Sequence, residues 1–110
     1  MIFTVDVTER AEHDVSSVLQ WLRERSPRGA ANWMNRYDHA LKTLCANADG
    51  FGVAPEADES GEDLREITFK TRYWNAYRLV FIIRGEMVHV LRVRSTGQPL
   101  LTNDEIEFPE

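Results

Sequence analysis

With 110 residues, 43% hydrophobic and 28% charged, the chain suits one soluble globular domain that buries roughly 65% of the surface its unfolded form exposes. No apolar run approaches the ~18 residues of a membrane-spanning helix, and "MIFTVDVTER" lacks the basic and apolar regions of a secretory signal. The expected location is the cytoplasm, with the single Cys45 a small reduced filler.

The net charge of −5 hides a division. Residues 1–63 carry 6 basic and 12 acidic side chains, residues 64–94 carry 7 and 2, and residues 95–110 carry 0 and 4. An isoelectric point near 5.2 argues against general nucleic-acid affinity and against direct, specific DNA binding by this chain, because counterion release needs clustered Lys and Arg. It leaves room for one positive patch on an acidic body.

"IFTVDV" alternates, with Phe3, Val5 and Val7 on one face, and reads as a short half-buried strand. Thr8 is placed to N-cap a helix with Glu9 and Glu12 in its first turn and Ala11, Val15, Val18, Leu19 and Leu22 on one stripe. That helix should end near Arg23 to Arg25. Ser26 and Pro27 then open a second helix as cap and first position, with the stripe Ala30, Met34, Tyr37, Leu41, Leu44 and Ala48. A turn this short makes an antiparallel helical hairpin. Trp21 and Trp33 lie beside the stripes, either as edge-of-core packing or as the walls of a partner-binding groove.

"NADGFGVAPEADESGED" reads as a flexible acidic connector without assigned chemistry. "LREITFK" is a strand, with either a bulge after Leu64 or a start at Arg65, because Leu64 and Ile67 differ in parity. "TRYWN" reads as a turn or strand start. "YRLVFIIRGEMVHVLRVR" is a β-hairpin. The order β-α-α-β-β-β predicts an α+β fold, with the helical hairpin packed on a mostly antiparallel, curved four-stranded sheet. One domain spans residues 1–110, and about 101–110 form an acidic tail that either lies over the basic strands or is disordered.

Two turn lengths compete in the hairpin. A two-residue Gly85-Glu86 turn pairs Arg84 with Met87 and Tyr77 with Arg94, and mixes arginines with large apolar residues on each face. An odd loop, Arg84-Gly85-Glu86, pairs Ile83 with Met87, Phe81 with His89, and Leu79 with Leu91. It gathers Tyr77, Leu79, Phe81, Ile83, Met87, His89, Leu91 and Val93 on one face and leaves the arginines on the other. Since a buried unpaired arginine costs several kcal/mol, the odd loop is expected. His89 then reads as a satisfied core histidine. Arg78 falls opposite Arg92, a like-charge pair to be neutralised by acids from a neighbouring strand or tail, or by an anionic ligand.

His13, His39 and His89 fall on separate elements and Cys45 has no second thiol, so neither a metal nor a cofactor is expected. There is no phosphate-binding G-x-x-x-x-G-K-[ST] loop and no G-x-S-x-G elbow. His13 and Asp14 read as exposed helical polar residues. What remains is a sheet face bearing Arg78, Arg92 and Arg94, with Arg65, Lys70 and Arg72 nearby, suited to phosphate or carboxylate recognition.

The stretches "FTVDVTERAEHDVSSVLQWL", "AANWMNRYDHALKTL", "APEADESGEDLREITF" and "YRLVFIIRGEMVHVLRVRS", in this order, resemble the RelE/ParE superfamily of toxins from type II toxin–antitoxin modules, over about residues 2–100. The resemblance implies two helices against a curved antiparallel sheet. It implies a growth-inhibiting, plasmid-stabilisation type of toxin neutralised by a cognate antitoxin, with no membrane partner. In the RelE-like branch, which cleaves mRNA on the ribosome, the family uses lysines on the strand before "YR", the arginine of "YR", and an arginine and a tyrosine after the last strand. Here Arg78 matches the "YR" arginine and is the one catalytic candidate. "LREITFK" offers Arg65 and Lys70 rather than a lysine pair, Thr96 stands where the second arginine would be, and "GQPLLTND" has no tyrosine. "LRVRS" looks closer to the ParE-like branch, which poisons DNA gyrase without being an enzyme. A degenerate module that only binds antitoxin is a third alternative. The expected target- or anion-binding set is therefore Arg78, Arg92, Arg94, Arg65 and Arg72, and the expected antitoxin contacts are Trp21, Trp33 and Arg84.

Overall fold

The computed structural model of the protein describes residues 2–71 and 75–109. Its elements are β1 (Thr4–Val7), α1 (Glu9–Arg25), α2 (Pro27–Asn47), a 3-10 turn at Ala48–Gly50, α3 (Ala57–Ser60), β2 (Arg65–Lys70), β3 (Ala76–Arg84), β4 (Met87–Ser95) and a 3-10 turn at Asn103–Glu105. The strands form one sheet in the order β1-β4-β3-β2. β1 runs parallel to β4, whereas the two other pairings are antiparallel. This is the expected α+β arrangement of a helical hairpin on an open, curved sheet. "TRYWN" falls largely outside the described residues, as does Arg72.

The helices start and stop where their caps direct. The Thr8 side chain accepts a hydrogen bond from the Ala11 N–H, and Ser26 closes α1 and opens α2 together: its N–H donates to the Leu22 carbonyl and its Oγ accepts from the Gly29 N–H. A single residue thus turns the chain between helices. The α1 stripe buries Ala11, Val15 and Leu19 as read. On α2 the buried line is Ala30, Trp33, Tyr37, Ala40 and Leu44, rotated slightly from the expected stripe, so that Met34 and Leu41 sit at its margin.

The hairpin differs from the expected register. Its turn is the two-residue Gly85-Glu86, with Gly85 at φ 63°, and Arg84 pairs with Met87, Ile83 with Val88, Ile82 with His89 and Phe81 with Val90. A β-bulge then leaves Leu91 unpaired, so Val80 faces Arg92, Leu79 faces Val93 and Arg78 faces Arg94. The extra residue restores parity, and Val88, Val90 and Val93 all point to the helices while Arg92 and Arg94 point away. The burial cost that argued against the short turn is avoided at Arg84, which lies exposed at the tip, and is offset at the buried Arg78 and Arg92 by paired carboxylates on the face away from the helices. His89 is not a core histidine; its Nδ1 lies 2.9 Å from Asp6 Oδ2, on the side away from the helices.

Two cores result. Tyr77, Leu79, Phe81, Val88, Val90, Val93 and Ile67 pack against the helices, and Trp33 sits at the centre with Tyr37 stacked on it at 5.2 Å and Phe69 and Tyr77 edge-on, each at 5.5 Å. On the other face Val80, Ile82 and Leu91 pack against Ala54, Leu64, Leu101 and Ile106. The second cover therefore comes from the acidic loop and the C-terminal tail, neither of which is a free strand of chain.

Candidate functional site

The face away from the helices brings together Arg78, Arg92 and Arg94, as expected. Alternation along β3 and β4 after the bulge sets them side by side. Arg65 is not among them. It stands opposite Phe81, on the helix side of the sheet, and its guanidinium donates to the Phe51 carbonyl at 2.8 Å and lies 3.4 Å from Asp63. β2 starts at Arg65, so the residue that shares the arginine face is Glu66.

Each arginine of the cluster is already answered by an acid of this chain. Arg78 is 6% exposed and Glu56 4% exposed. They form a two-point contact, Arg78 Nη1 to Oε1 at 2.9 Å and Nη2 to Oε2, with Glu66 at 3.7 Å on the outer side. Glu56 Oε2 also accepts from the Leu101 N–H at 3.0 Å. Burial raises the Glu56 carboxyl pKa, but the hydrogen bonds from Arg78 and the Leu101 N–H outweigh it and hold the group below the usual carboxylate range. Arg92, 8% exposed, makes a fork with Asp14 on α1, at 2.8 Å and 3.0 Å. Asp14 Oδ2 also accepts from the Val93 N–H at 2.9 Å, closing the edge of β4 beyond the end of β1. Arg92 Nη1 donates to the Glu105 carbonyl at 2.8 Å, and Arg94 Nη1 to Glu105 Oε2 at 3.2 Å. The Thr102 N–H, with further help from its hydroxyl and from Arg94, lowers the Glu105 pKa.

The like-charge pair expected between Arg78 and Arg92 falls instead between Arg78 and Arg94, because of the bulge, and internal carboxylates neutralise it. The sequence singled out neither Glu56 nor Glu105, although the acidic tail was one alternative for covering the basic strands. Asp14 is not an exposed helical residue, and the acidic loop is not an unstructured connector: it forms α3 and presents Glu56. The one available signal was the charge division itself, since a basic segment flanked by acidic ones requires partners from both sides. It does not say which acids.

The expected antitoxin contacts separate. Trp33 is 1% exposed and is a core group, because three aromatic rings enclose its indole. Trp21 is 51% exposed, with the Arg25 guanidinium 4.0 Å above its ring. It adjoins Tyr77, Ser95 and Gln98 at one end of the hairpin, while Arg84, whose guanidinium donates to the Pro109 carbonyl, lies at the other end.

Comparison with known proteins agrees with this architecture. No family model matches the chain. It is 35% identical over 94 residues to Toxin RelE1 of Caulobacter vibrioides, a match covering 84% of this chain and 92% of that protein. A solved structure of the chromosomal ParDE toxin–antitoxin system from P. aeruginosa superposes with a TM-score of 0.65 over 86% of this chain and 96% of the other, at 17% identity, which speaks for the fold alone. The molecule is a toxin of a toxin–antitoxin system. It belongs to the RelE/ParE superfamily.

Proposed function

We propose that this toxin acts by binding its target, as ParE-like inhibitors of DNA gyrase do, and that a cognate antitoxin neutralises it in the cytoplasm. The observation that carries this reading is the burial of Arg78 against Glu56. An RNA-cleaving site needs cationic donors free to meet the charge that develops on phosphate, together with a proton acceptor near neutral pKa. Arg78 is the one nuclease-type residue carried by the resemblance, and its two donor groups are already spent on a carboxylate. The name of the Caulobacter relative favours the other branch, a ribosome-dependent mRNA interferase, so both are tested together.

Purified toxin is added to a gyrase supercoiling reaction and, separately, to a ribosome-containing translation mix with a defined transcript. Lost supercoiling, restored by antitoxin, with the transcript intact supports the proposal. Cut transcripts with supercoiling untouched overturn it. Neither effect, together with unaffected growth on expression, assigns the chain to antitoxin binding alone. Arg94→Ala is expected to relieve growth arrest, because among the described residues the Arg94 side chain pairs with the half-exposed Glu105 rather than with a buried acid.

A further inference from the structure

On the helix side of the sheet, away from the arginine face, a half-open cavity of about 160 Å³ lies between the α1–α2 turn and the start of β3. Leu22, Trp33 and Tyr77 make its apolar wall, and Ser26, Arg28 and Asn32 line its polar side. An apolar cavity of about 150 Å³ accepts one benzene-sized ring. Trp33, 1% exposed, is the most deeply buried of the lining residues, and its indole N–H meets no acceptor among the described residues. Leaving a buried donor unanswered is unfavourable, so an occupant that carries an acceptor to this end is favoured. At the mouth Arg28 is exposed and forms no ion pair among the described residues; the ion pair at this turn joins Arg25 to Glu24 at 3.9 Å. The first turn of α2 opens beside it and holds no acid, whereas α1 carries Glu9 and Glu12 in the same position. The mouth therefore presents a cation and a positive helix end without a counter-charge.

We propose that this cavity is a binding site for a small monocyclic aromatic carboxylate with an oxygen at the far end of its ring. The ring lies between Leu22, Trp33 and Tyr77, where the two aromatic side chains offer it offset or edge-on contacts. The ring oxygen accepts from the Trp33 N–H at the inner end. The carboxylate stays at the mouth, where Arg28 donates to it and the α2 N-terminus favours its charge. Size selects one ring, since a fused pair exceeds the space. An aliphatic anion leaves the apolar wall uncovered, and a neutral ring leaves Arg28 and the helix end unanswered, so neither half of the ligand suffices alone. The site shares no residue with the Arg78, Arg92 and Arg94 cluster, and the inference holds for either choice of target.

The full chain is titrated calorimetrically with 4-hydroxybenzoate, and with benzoate, 4-hydroxybenzamide and acetate for comparison. The expected result is one-to-one binding of 4-hydroxybenzoate with a Kd of about 1 mM or below, and weaker binding of benzoate. Removal of the charge in 4-hydroxybenzamide, or of the ring in acetate, is expected to weaken binding about tenfold or more. Arg28→Ala is expected to cause a similar loss, whereas Arg23→Ala, which removes an equal charge outside the cavity, leaves the affinity unchanged. Asn32→Trp narrows the mouth and should abolish binding. All three substitutions fall at exposed positions, so the variants keep the fold, as circular dichroism checks. Absence of saturable 4-hydroxybenzoate binding overturns the proposal. So does equal binding of any of the three comparison compounds, or an affinity that Arg28→Ala leaves unchanged or lowers no more than Arg23→Ala.

Discussion

Glu56→Ala is the most informative single change. Its carboxylate is 4% exposed and holds three donors, two from Arg78 and one from the Leu101 backbone. Removing it leaves a guanidinium that is itself 6% exposed with only Glu66, at 3.7 Å and nearer solvent. Truncating one partner of a buried pair costs about 3–5 kcal/mol; the remaining Glu66 contact places this case at the lower end, about 3–4 kcal/mol. For 110 residues an unfolding entropy of about 2.1 cal/mol/K per residue gives about 230 cal/mol/K, so Tm should fall by about 13–17 °C. The double variant Glu56→Ala with Arg78→Met removes the stranded charge and should recover most of that loss. Thermal and urea unfolding of the single and double variants measure both numbers. A loss below about 1 kcal/mol for Glu56→Ala, the range of an exposed pair, would refute the argument. So would a double variant no more stable than the single one. The same logic makes Arg78→Ala a poor probe of catalysis, because it strands Glu56 and lowers the folded fraction.

Acid should weaken the protein through the same group. Because the folded Glu56 pKa lies below the ordinary value near 4.3, its contribution is fully present above that value and fades as pH falls through the lower, folded one. Urea midpoints between pH 6 and 3 should decline below about pH 4.3, less steeply in Glu56→Gln; an identical slope in both chains would clear Glu56 of that role. Trp33→Ala should cost about 3–5 kcal/mol by emptying the aromatic centre, while the exposed Trp21→Ala should stay within about 0.5 kcal/mol. If Trp21 contacts antitoxin, its alanine variant co-purifies with less of a co-expressed antitoxin at unchanged Tm; undiminished capture removes it from that surface. Ser26→Ala, which loses the 3.0 Å cap on Gly29 N–H, should cost about 1 kcal/mol, read as a shift in the urea midpoint.

The two long helices, the caps that open them and the order of these helices and the strands along the chain were legible because their causes are local, whereas α3 was not. Thr8 and Ser26 cap within three residues, the stripes repeat at helical spacing, and Phe3, Val5 and Val7 alternate as a half-buried strand must. The family resemblance rests on these same stretches. The register of the hairpin was not legible. Strict alternation admits two turn lengths, and the outcome depended on the Leu91 bulge and on a tip where Arg84 meets solvent and the Pro109 carbonyl. The charge division of the sequence required acids around Arg78, Arg92 and Arg94, but their identity depends on contacts between residues 22, 78 and 11 positions apart for the Glu56, Asp14 and Glu105 pairs. Such distances carry no periodic signal, because chain geometry brings these groups together only once both cores have formed. What the sequence determined by itself was an acidic body with one basic hairpin. Only the tertiary structure decided that the arginines of this hairpin are already held by the chain's own acids, since desolvated charge must find its counter-charge wherever the fold places one.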